Sequence, residues 1–214
     1  MVNEPLYKEI VGFTKLKNST LVAVSKIKPA ADVQKMYDLG QRDFGENYVQ
    51  EMVGKQAQLP ADILWHFIGH LQSNKVKYIA PFVHLIQSVD SEKLLKEIDK
   101  QAAKNNRKIN VLLQVHIAEE QTKFGFDEHE LMNLDMNLYP HVHLTGLMGM
   151  ATFTEDKEKV KREFEQLQSF YKKFQDAKKV ELNTLSMGMS DDYKLAIDCG
   201  SNMIRIGSLL FGKR

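Results

Sequence analysis

Leu21-Val22-Ala23-Val24-Ser25-Lys26 joins four consecutive apolar residues to a lysine. A short, continuous run rich in Val and Leu is typical of a strand buried on both faces, as in a parallel sheet. Lys26 therefore lies where this strand ends. Pro29 suits the first turn of a following helix, because that turn does not need the N–H that proline lacks. The pattern predicts a strand-to-helix unit.

Lys26 needs a chemical explanation, because burying an unpaired ammonium group is costly. Such a lysine must be paired, deprotonated or covalently bonded. A lysine with a lowered pKa is the usual partner of a carbonyl ligand, which it binds as a Schiff base. The alternative is that Lys26 only extends from the strand end into solvent.

The same alternation of strand and helix continues outward from this unit. After a leading helix over residues 3–18, we predict eight strands, at residues 21–26, 42–47, 63–69, 83–86, 109–116, 142–148, 182–185 and 203–207. Helices are predicted between them, at residues 30–39, 48–58, 74–80, 91–103, 127–137, 157–178 and 191–199, with a closing segment at 209–214. Ser91 is a predicted N-cap. The sequence therefore favours a (β/α)8 TIM barrel with an extra N-terminal helix over a doubly wound open sheet.

Composition excludes several classes of function. The chain has 214 residues without a linker or low-complexity tract, so we expect one domain over residues 1–214. Its 29 basic and 28 acidic residues are interspersed, which gives no basis for binding nucleic acid or a membrane surface. We expect no signal peptide, and a single cysteine, Cys199, fits a cytoplasmic protein. The scattered histidines lack the spacing of a metal site, so no metal is expected.

Two predicted turns resemble a phosphate cradle, and they follow strands seven and eight, where barrels often bind phosphate. They are Ser186-Met187-Gly188-Met189-Ser190 and Gly207-Ser208. Gly188 allows close backbone approach, the serines offer hydroxyls, and N–H groups of the next helix face an anion. Asp191 and Asp192 suit the first turn of that helix, and we expect both side chains to point away from a phosphate.

Arg205 interrupts the apolar strand Met203-Ile204-Arg205-Ile206-Gly207. It either points outward to a helix carboxylate or points into the barrel mouth towards a ligand. A guanidinium is charged and only donates hydrogen bonds. Facing a pyridine nitrogen, it would keep that nitrogen unprotonated and weaken the ring as an electron sink. The lysine, the phosphate cradle and this arginine together point to pyridoxal 5′-phosphate (PLP).

Motifs across nearly the whole chain carry a family resemblance. They are Ala23-Val24-Ser25-Lys26, Phe44-Gly45-Glu46-Asn47-Tyr48-Val49-Gln50-Glu51, Trp65-His66-Phe67-Ile68-Gly69, Leu71-Gln72-Ser73-Asn74-Lys75, Gly146-Leu147-Met148, Leu185 to Asp192, and Arg205-Ile206-Gly207. In this order they resemble the pyridoxal phosphate homeostasis protein family, also called the proline synthase co-transcribed family. That family is similar to the N-terminal barrel of alanine racemase, without the second, β-rich domain of that enzyme.

The resemblance implies a role for each matching residue. Lys26 matches the Schiff-base lysine, Arg205 the arginine near the pyridine nitrogen, and Asn47 the motif that lines the ring pocket. The region that holds the phosphate is matched by Ser186, Gly188, Ser190, Gly207 and Ser208.

The resemblance also implies a non-catalytic protein that carries and buffers PLP in vitamin B6 and amino-acid homeostasis. PLP-dependent apoenzymes are its implied partners, and a monomer or weak homodimer is expected. The alternative is a PLP-dependent amino-acid racemase, which needs acid/base groups on both faces of the cofactor. In that class the second group is a tyrosine from the domain that we expect this chain to lack. A third interpretation keeps the barrel as a phosphate-binding scaffold without PLP.

Overall fold

Eight parallel strands close into a barrel in which strands consecutive in sequence are neighbours in space and β8 pairs with β1. The structure is a computed structural model that describes residues 2–118 and 124–212. The strands are β1 Thr20–Val24, β2 Asp43–Glu46, β3 Leu64–Phe67, β4 Leu85–Val89, β5 Ile109–Gln114, β6 Val142–Met148, β7 Thr184–Ser186 and β8 Met203–Ile206. The predicted (β/α)8 barrel is confirmed.

Helices surround the barrel, and α1 precedes it as the predicted extra N-terminal helix. The helices are α1 Glu4–Leu16, α2 Ala30–Asp38, α3 Val49–Gln56, α4 Val76–Ile79, α5 Glu92–Lys104, α6 Glu128–Asn133, α7 Lys157–Lys178, α8 Tyr193–Asp198 and α9 Ser208–Phe211. The predicted N-cap of α5 is confirmed, since the Ser91 hydroxyl accepts a hydrogen bond from the Leu94 N–H at 3.4 Å. Of the closing segment predicted at residues 209–214, residues 213–214 lie outside the described residues.

Apolar residues form two layers because side chains alternate along each strand. The larger cluster lies between the strands and the surrounding helices. A smaller cluster lies inside the barrel and contains Val22, Leu85, Leu112, Met148 and Met203. Polar side chains that follow the same alternation share this interior.

Among the eight strands, the fourth differs most from its prediction. We predicted residues 83–86, whereas β4 covers Leu85–Val89. Gln87 and Ser88 made the end of this segment look like a loop, yet both side chains are buried. Gln87 donates to the Met203 sulfur at 3.3 Å across the barrel, so partners on distant strands make a polar residue compatible with burial here.

Other boundaries shift by a few residues. The helix predicted at 127–137 ends at Asn133 and is followed by a separate 3-10 turn, Met136–Leu138. The helix predicted at 74–80 begins as the 3-10 turn Ser73–Lys75. Strand seven is Thr184–Ser186 instead of 182–185, so Ser186 belongs to the strand and not to the turn.

Gly146 permits the close contact between β6 and β7. A Cβ at this position would collide with the carbonyl oxygen of Thr184. We expect Gly146→Ala to lower the free energy of unfolding by about 1–3 kcal/mol, because the strand backbones must move apart. Gly54→Ala on α3 is the matched control, since its Cβ meets nothing within 4 Å. Alanine is also favoured in helices, so the control should be neutral or stabilising by up to about 1 kcal/mol. Urea denaturation measures both, and equal stability of the two variants would contradict this account.

Candidate functional site

The predicted site residues gather at one end of the barrel. Lys26 lies in the turn after β1, and Asn47 directly follows β2. Gly188 and Ser190 lie in the loop after β7, while Gly207 and Ser208 follow β8. Because all eight strands are parallel, these segments share the carboxyl-terminal mouth, where barrel sites are built. Ser186 and Arg205 lie just below them, on the strands themselves.

The Lys26 turn is tied to the segment that follows β8. The Lys28 ammonium donates to the carbonyl oxygens of Phe211 at 3.0 Å and Gly212 at 3.2 Å, at the end of α9. The lysine turn and the Gly207–Ser208 turn therefore stay next to each other. Gly207 also packs closely on β1, since a Cβ there would lie 3.2 Å from the Val24 carbonyl oxygen.

Arg205 points into the barrel, which is the ligand-facing orientation of the two considered. Its guanidinium donates to the Ser186 hydroxyl at 2.5 Å and to the Gly149 carbonyl oxygen at 3.0 Å. Burial lowers the pKa of Arg205 to about 10, and the carboxylate of Asp192 opposes this shift. That pKa is still far above neutral, so the mouth contains a buried, positively charged donor.

A chain of hydrogen bonds runs from Arg205 down through the barrel. Ser186 donates to the Gln87 side-chain oxygen at 2.7 Å, and the Gln87 amide nitrogen lies 3.0 Å from His66 Nδ1. On its other side, His66 Nε2 lies 3.0 Å from the Asp43 carboxylate. Because an arginine only donates hydrogen bonds, the Ser186 hydroxyl must accept from Arg205, and its own O–H donates to the Gln87 side-chain oxygen. In this order the Gln87 amide donates to His66 Nδ1, which leaves His66 Nε2 as the donor to Asp43.

This chain fixes the Arg205 guanidinium, and the sequence analysis missed it. Its signal was present, because Gln87 and His66 each interrupt an apolar strand at an alternating position, as Arg205 does. Recognising it requires knowing which strands face each other. Ser186 was predicted to help hold a phosphate, but its hydroxyl lies inside the barrel between Arg205 and Gln87. Its role in phosphate binding stays a prediction.

The loop after β7 has the backbone geometry of a tight cradle. Gly188 has φ +96°, and a Cβ there would lie 2.5 Å from the Ala196 Cβ, so a larger residue would be strained. The Gly188 carbonyl accepts from the Arg205 N–H at 3.0 Å, which joins the loop to β8. Asp192 does not point away from the loop. Its carboxylate turns back and accepts the Met189 N–H at 2.5 Å, while burial raises its pKa.

Asn47 supplies a buried acceptor at the mouth. Among buried side-chain nitrogen and oxygen atoms of the described residues, Asn47 Oδ1 and Glu46 Oε2 are the two without a hydrogen-bond partner. An unsatisfied buried acceptor costs about 1–3 kcal/mol, so Asn47 is suited to a ligand that brings a donor. The Asn47 backbone packs directly against Gly69, where a Cβ would lie 2.5 Å from the Asn47 carbonyl oxygen. A primary amine, an arginine, glycine turns and this acceptor fit PLP by their chemistry.

Residues 2–118 and 124–212 contain neither a cluster of metal ligands nor a membrane-spanning helix. No group of three or more His, Cys, Asp or Glu side chains within these ranges is arranged to hold a metal ion. None of the helices described has the length and apolar character needed to cross a membrane.

The sequence is similar to proteins named for pyridoxal phosphate, which agrees with a PLP site at the barrel mouth. The sequence pattern of the family described as "Alanine racemase, N-terminal domain" matches residues 7–214. The chain is 40% identical over 202 residues to the pyridoxal phosphate homeostasis protein of Pasteurella multocida, covering 91% of this chain and 86% of the relative. It is 41% identical over 198 residues to the Aquifex aeolicus protein of the same name, again covering 91% and 86%.

Solved structures show the same relationship. PipY of Synechococcus elongatus, with PLP bound, is 37% identical and superposes with a TM-score of 0.83 over 91% of this chain and 93% of PipY. Alanine racemase of Clostridium difficile superposes with a TM-score of 0.76 over 100% of this chain and 58% of the enzyme. At 16% identity, that second match shows the shared fold alone. The chain belongs to the pyridoxal phosphate homeostasis protein family, built on the alanine racemase N-terminal barrel.

Proposed function

We propose that this chain, as one domain, binds PLP reversibly on Lys26 and serves as a non-catalytic carrier that buffers the cofactor. The observation that carries the proposal is the buried, inward Arg205 beneath a mouth that also holds Lys26. The relatives support it, since PipY was solved with PLP bound and curated relatives are named for pyridoxal phosphate homeostasis. PLP-dependent apoenzymes are the proposed recipients.

Each group at the mouth has a proposed part in holding PLP. PLP supplies an aldehyde, with which the Lys26 amine condenses to a C=N bond as one water is released. Arg205 donates a hydrogen bond to the ring nitrogen and keeps it unprotonated, and Asn47 Oδ1 accepts one from the ligand. The backbone of the loop after β7, with Ser190 and the Gly207–Ser208 turn, holds the phosphate.

Two features favour a carrier over a racemase. An arginine against the ring nitrogen weakens the electron sink on which racemisation depends. Racemisation also needs a second acid/base group opposite the lysine. Tyr193 packs its ring on Phe13 of α1, with centroids 5.9 Å apart, so it is held in the outer layer. Tyr48 follows Asn47 at the mouth and is half exposed, so it is the tyrosine to test.

Borohydride reduction of the protein mixed with PLP tests the proposed function. Reduction converts a C=N bond into a stable amine, and peptide mass mapping then identifies the modified lysine. We expect one adduct, on Lys26. Adducts spread over surface lysines would overturn the proposal. The racemase alternative requires interconversion of D- and L-alanine that is lost in Tyr48→Phe, whereas the carrier predicts no interconversion by either protein.

A further inference from the structure

Both peptide groups that flank Lys26 are bonded by side chains of α3. The Ser25 carbonyl oxygen, in the peptide before Lys26, accepts from the Lys55 ammonium at 2.7 Å. The Ile27 N–H, in the peptide after it, donates to Glu51 Oε2 at 2.7 Å. Lys55 and Glu51 also pair with each other at 3.2 Å. One turn of α3 therefore holds the Lys26 backbone on both sides.

This arrangement is anchored in the protein core by Glu46. The Lys55 side chain is 7% exposed and contacts the fully buried Glu46 carboxylate at 2.6 Å. The same carboxylate oxygen accepts from the Ser25 hydroxyl at 2.6 Å. Burial raises the pKa of Glu46, while Lys55 and Ser25 oppose that shift. Glu46 Oε1 therefore accepts from both Lys55 and Ser25, which joins α3 to the residue before Lys26, whereas Glu46 Oε2 has no hydrogen-bond partner among the described residues.

Ile27 has an unfavourable backbone conformation, so other contacts must stabilise the turn. Its φ is +63°, in the left-handed region, where a β-branched residue is strained. The residue is 54% exposed, so core packing does not compensate for the strain. Strained turns persist only where surrounding groups over-determine them, and the hydrogen bond to Glu51 acts on this residue directly.

We propose that Glu51, Lys55 and Glu46 are positioning residues for Lys26. They hold the turn so that the Lys26 amine meets a carbonyl ligand in one orientation, which lowers the entropic cost of bond formation. Glu51 acts on the Ile27 side of the turn and Lys55 on the Ser25 side, and Glu46 is the buried carboxylate that pairs with Lys55. This inference rests on the proposed function, because it takes Lys26 as the lysine that bonds PLP.

Glu51→Ala tests the inference through the rate of bond formation with PLP, followed by stopped-flow absorbance well below the unfolding temperature. We expect the rate constant to fall about 10-fold or more, the effect of losing a charge-assisted hydrogen bond. Glu4→Ala is the matched control, because Glu4 and Lys8 form an exposed pair with the same i,i+4 spacing on α1. It should leave the rate unchanged.

A second substitution separates positioning from general stability. Asparagine tolerates the left-handed region, so Ile27→Asn in the Glu51→Ala background should recover most of the lost rate. Glu51→Gln keeps an oxygen acceptor for the Ile27 N–H and should stay near the wild-type rate. A Glu51→Ala protein that melts earlier but reacts at the wild-type rate would overturn the inference. An equal loss in the Gln and Ala variants would also overturn it.

The two proposals fail in different ways. If borohydride labelling of the wild-type chain misses Lys26, the proposed function fails. If the label is on Lys26 while Glu51→Ala reacts at the wild-type rate, the positioning role alone fails.

Discussion

Replacing Lys26 with alanine or arginine is expected to abolish covalent attachment of PLP while leaving the barrel folded. Only a primary amine condenses with the aldehyde, so arginine keeps the positive charge without the chemistry. Lys26 lies in a half-buried turn beyond the end of β1, outside the apolar clusters, so its loss leaves the core intact. Borohydride reduction followed by peptide mapping, after free PLP has been removed, measures the linkage, and circular dichroism reports the fold.

Lys28→Ala is the matched control for this experiment. Lys28 is two residues away on the same turn, but its ammonium binds the carbonyl oxygens at the end of α9. The variant should keep the linkage on Lys26, although the turn loses a tie to the segment after β8. A single borohydride-stable adduct that persisted in Lys26→Ala would assign the linkage to another lysine and remove the basis for the proposed site.

Arg205→Met is expected to have the second largest effect, on both stability and PLP affinity. It leaves the Ser186 hydroxyl and the Gly149 carbonyl without their donor, which should cost about 1–3 kcal/mol of unfolding free energy. Loss of one charge-assisted hydrogen bond to the ligand should weaken PLP binding by about 10- to 100-fold. Arg205→Lys should rescue little, because an ammonium lacks the planar, forked donor geometry. Urea denaturation and equilibrium titration with PLP measure the two effects separately.

Arg42→Met controls for loss of an arginine elsewhere. Arg42 forms an exposed pair with Asp62 at 2.9 Å and lies over the Tyr37 ring. Exposed pairs contribute at most about 1 kcal/mol, so we expect a small loss of stability and unchanged PLP affinity. If Arg205→Met lost stability but bound PLP as tightly as the wild-type chain, Arg205 would be a structural residue only.

Elements with long, regular periodicity were predicted well. The bounds of β6, Val142–Met148, and of α7, Lys157–Lys178, agree with the prediction. Their patterns are long enough to separate a period of two from a period of 3.6. Short strands with buried polar residues were predicted poorly. In β4 the polar Gln87 made the segment look like a loop. Its hydrogen-bond partners, Ser186 and His66, lie on other strands, so the local sequence does not show that Gln87 can be buried.

One of the proposed positioning residues for Lys26, Lys55, had a sequence signal that was not used. Val49, Met52 and Lys55 recur at spacings of three and share the buried face of α3. A lysine on an apolar helix face implies a buried partner, by the argument already applied to Lys26. The sequence does not show that this partner is Glu46. It also does not show that side chains of α3 bond the backbone of Ser25 and Ile27. Those contacts exist only once α3 has packed beside β1 and β2.

The sequence by itself determined the order of strands and helices, the closed parallel barrel, and the placement of Lys26 beyond a strand end. These depend on local periodicity and on the rule that parallel strands end at one edge. Only the tertiary structure decided that Arg205 points inward, that Ser186 contacts it within the barrel, and that Glu51 holds the turn at Ile27. Alternation along a strand shows which side chains share a face, but not whether that face is inside or outside the barrel. Closing the barrel decides this, because it brings polar groups of distant strands within hydrogen-bonding distance.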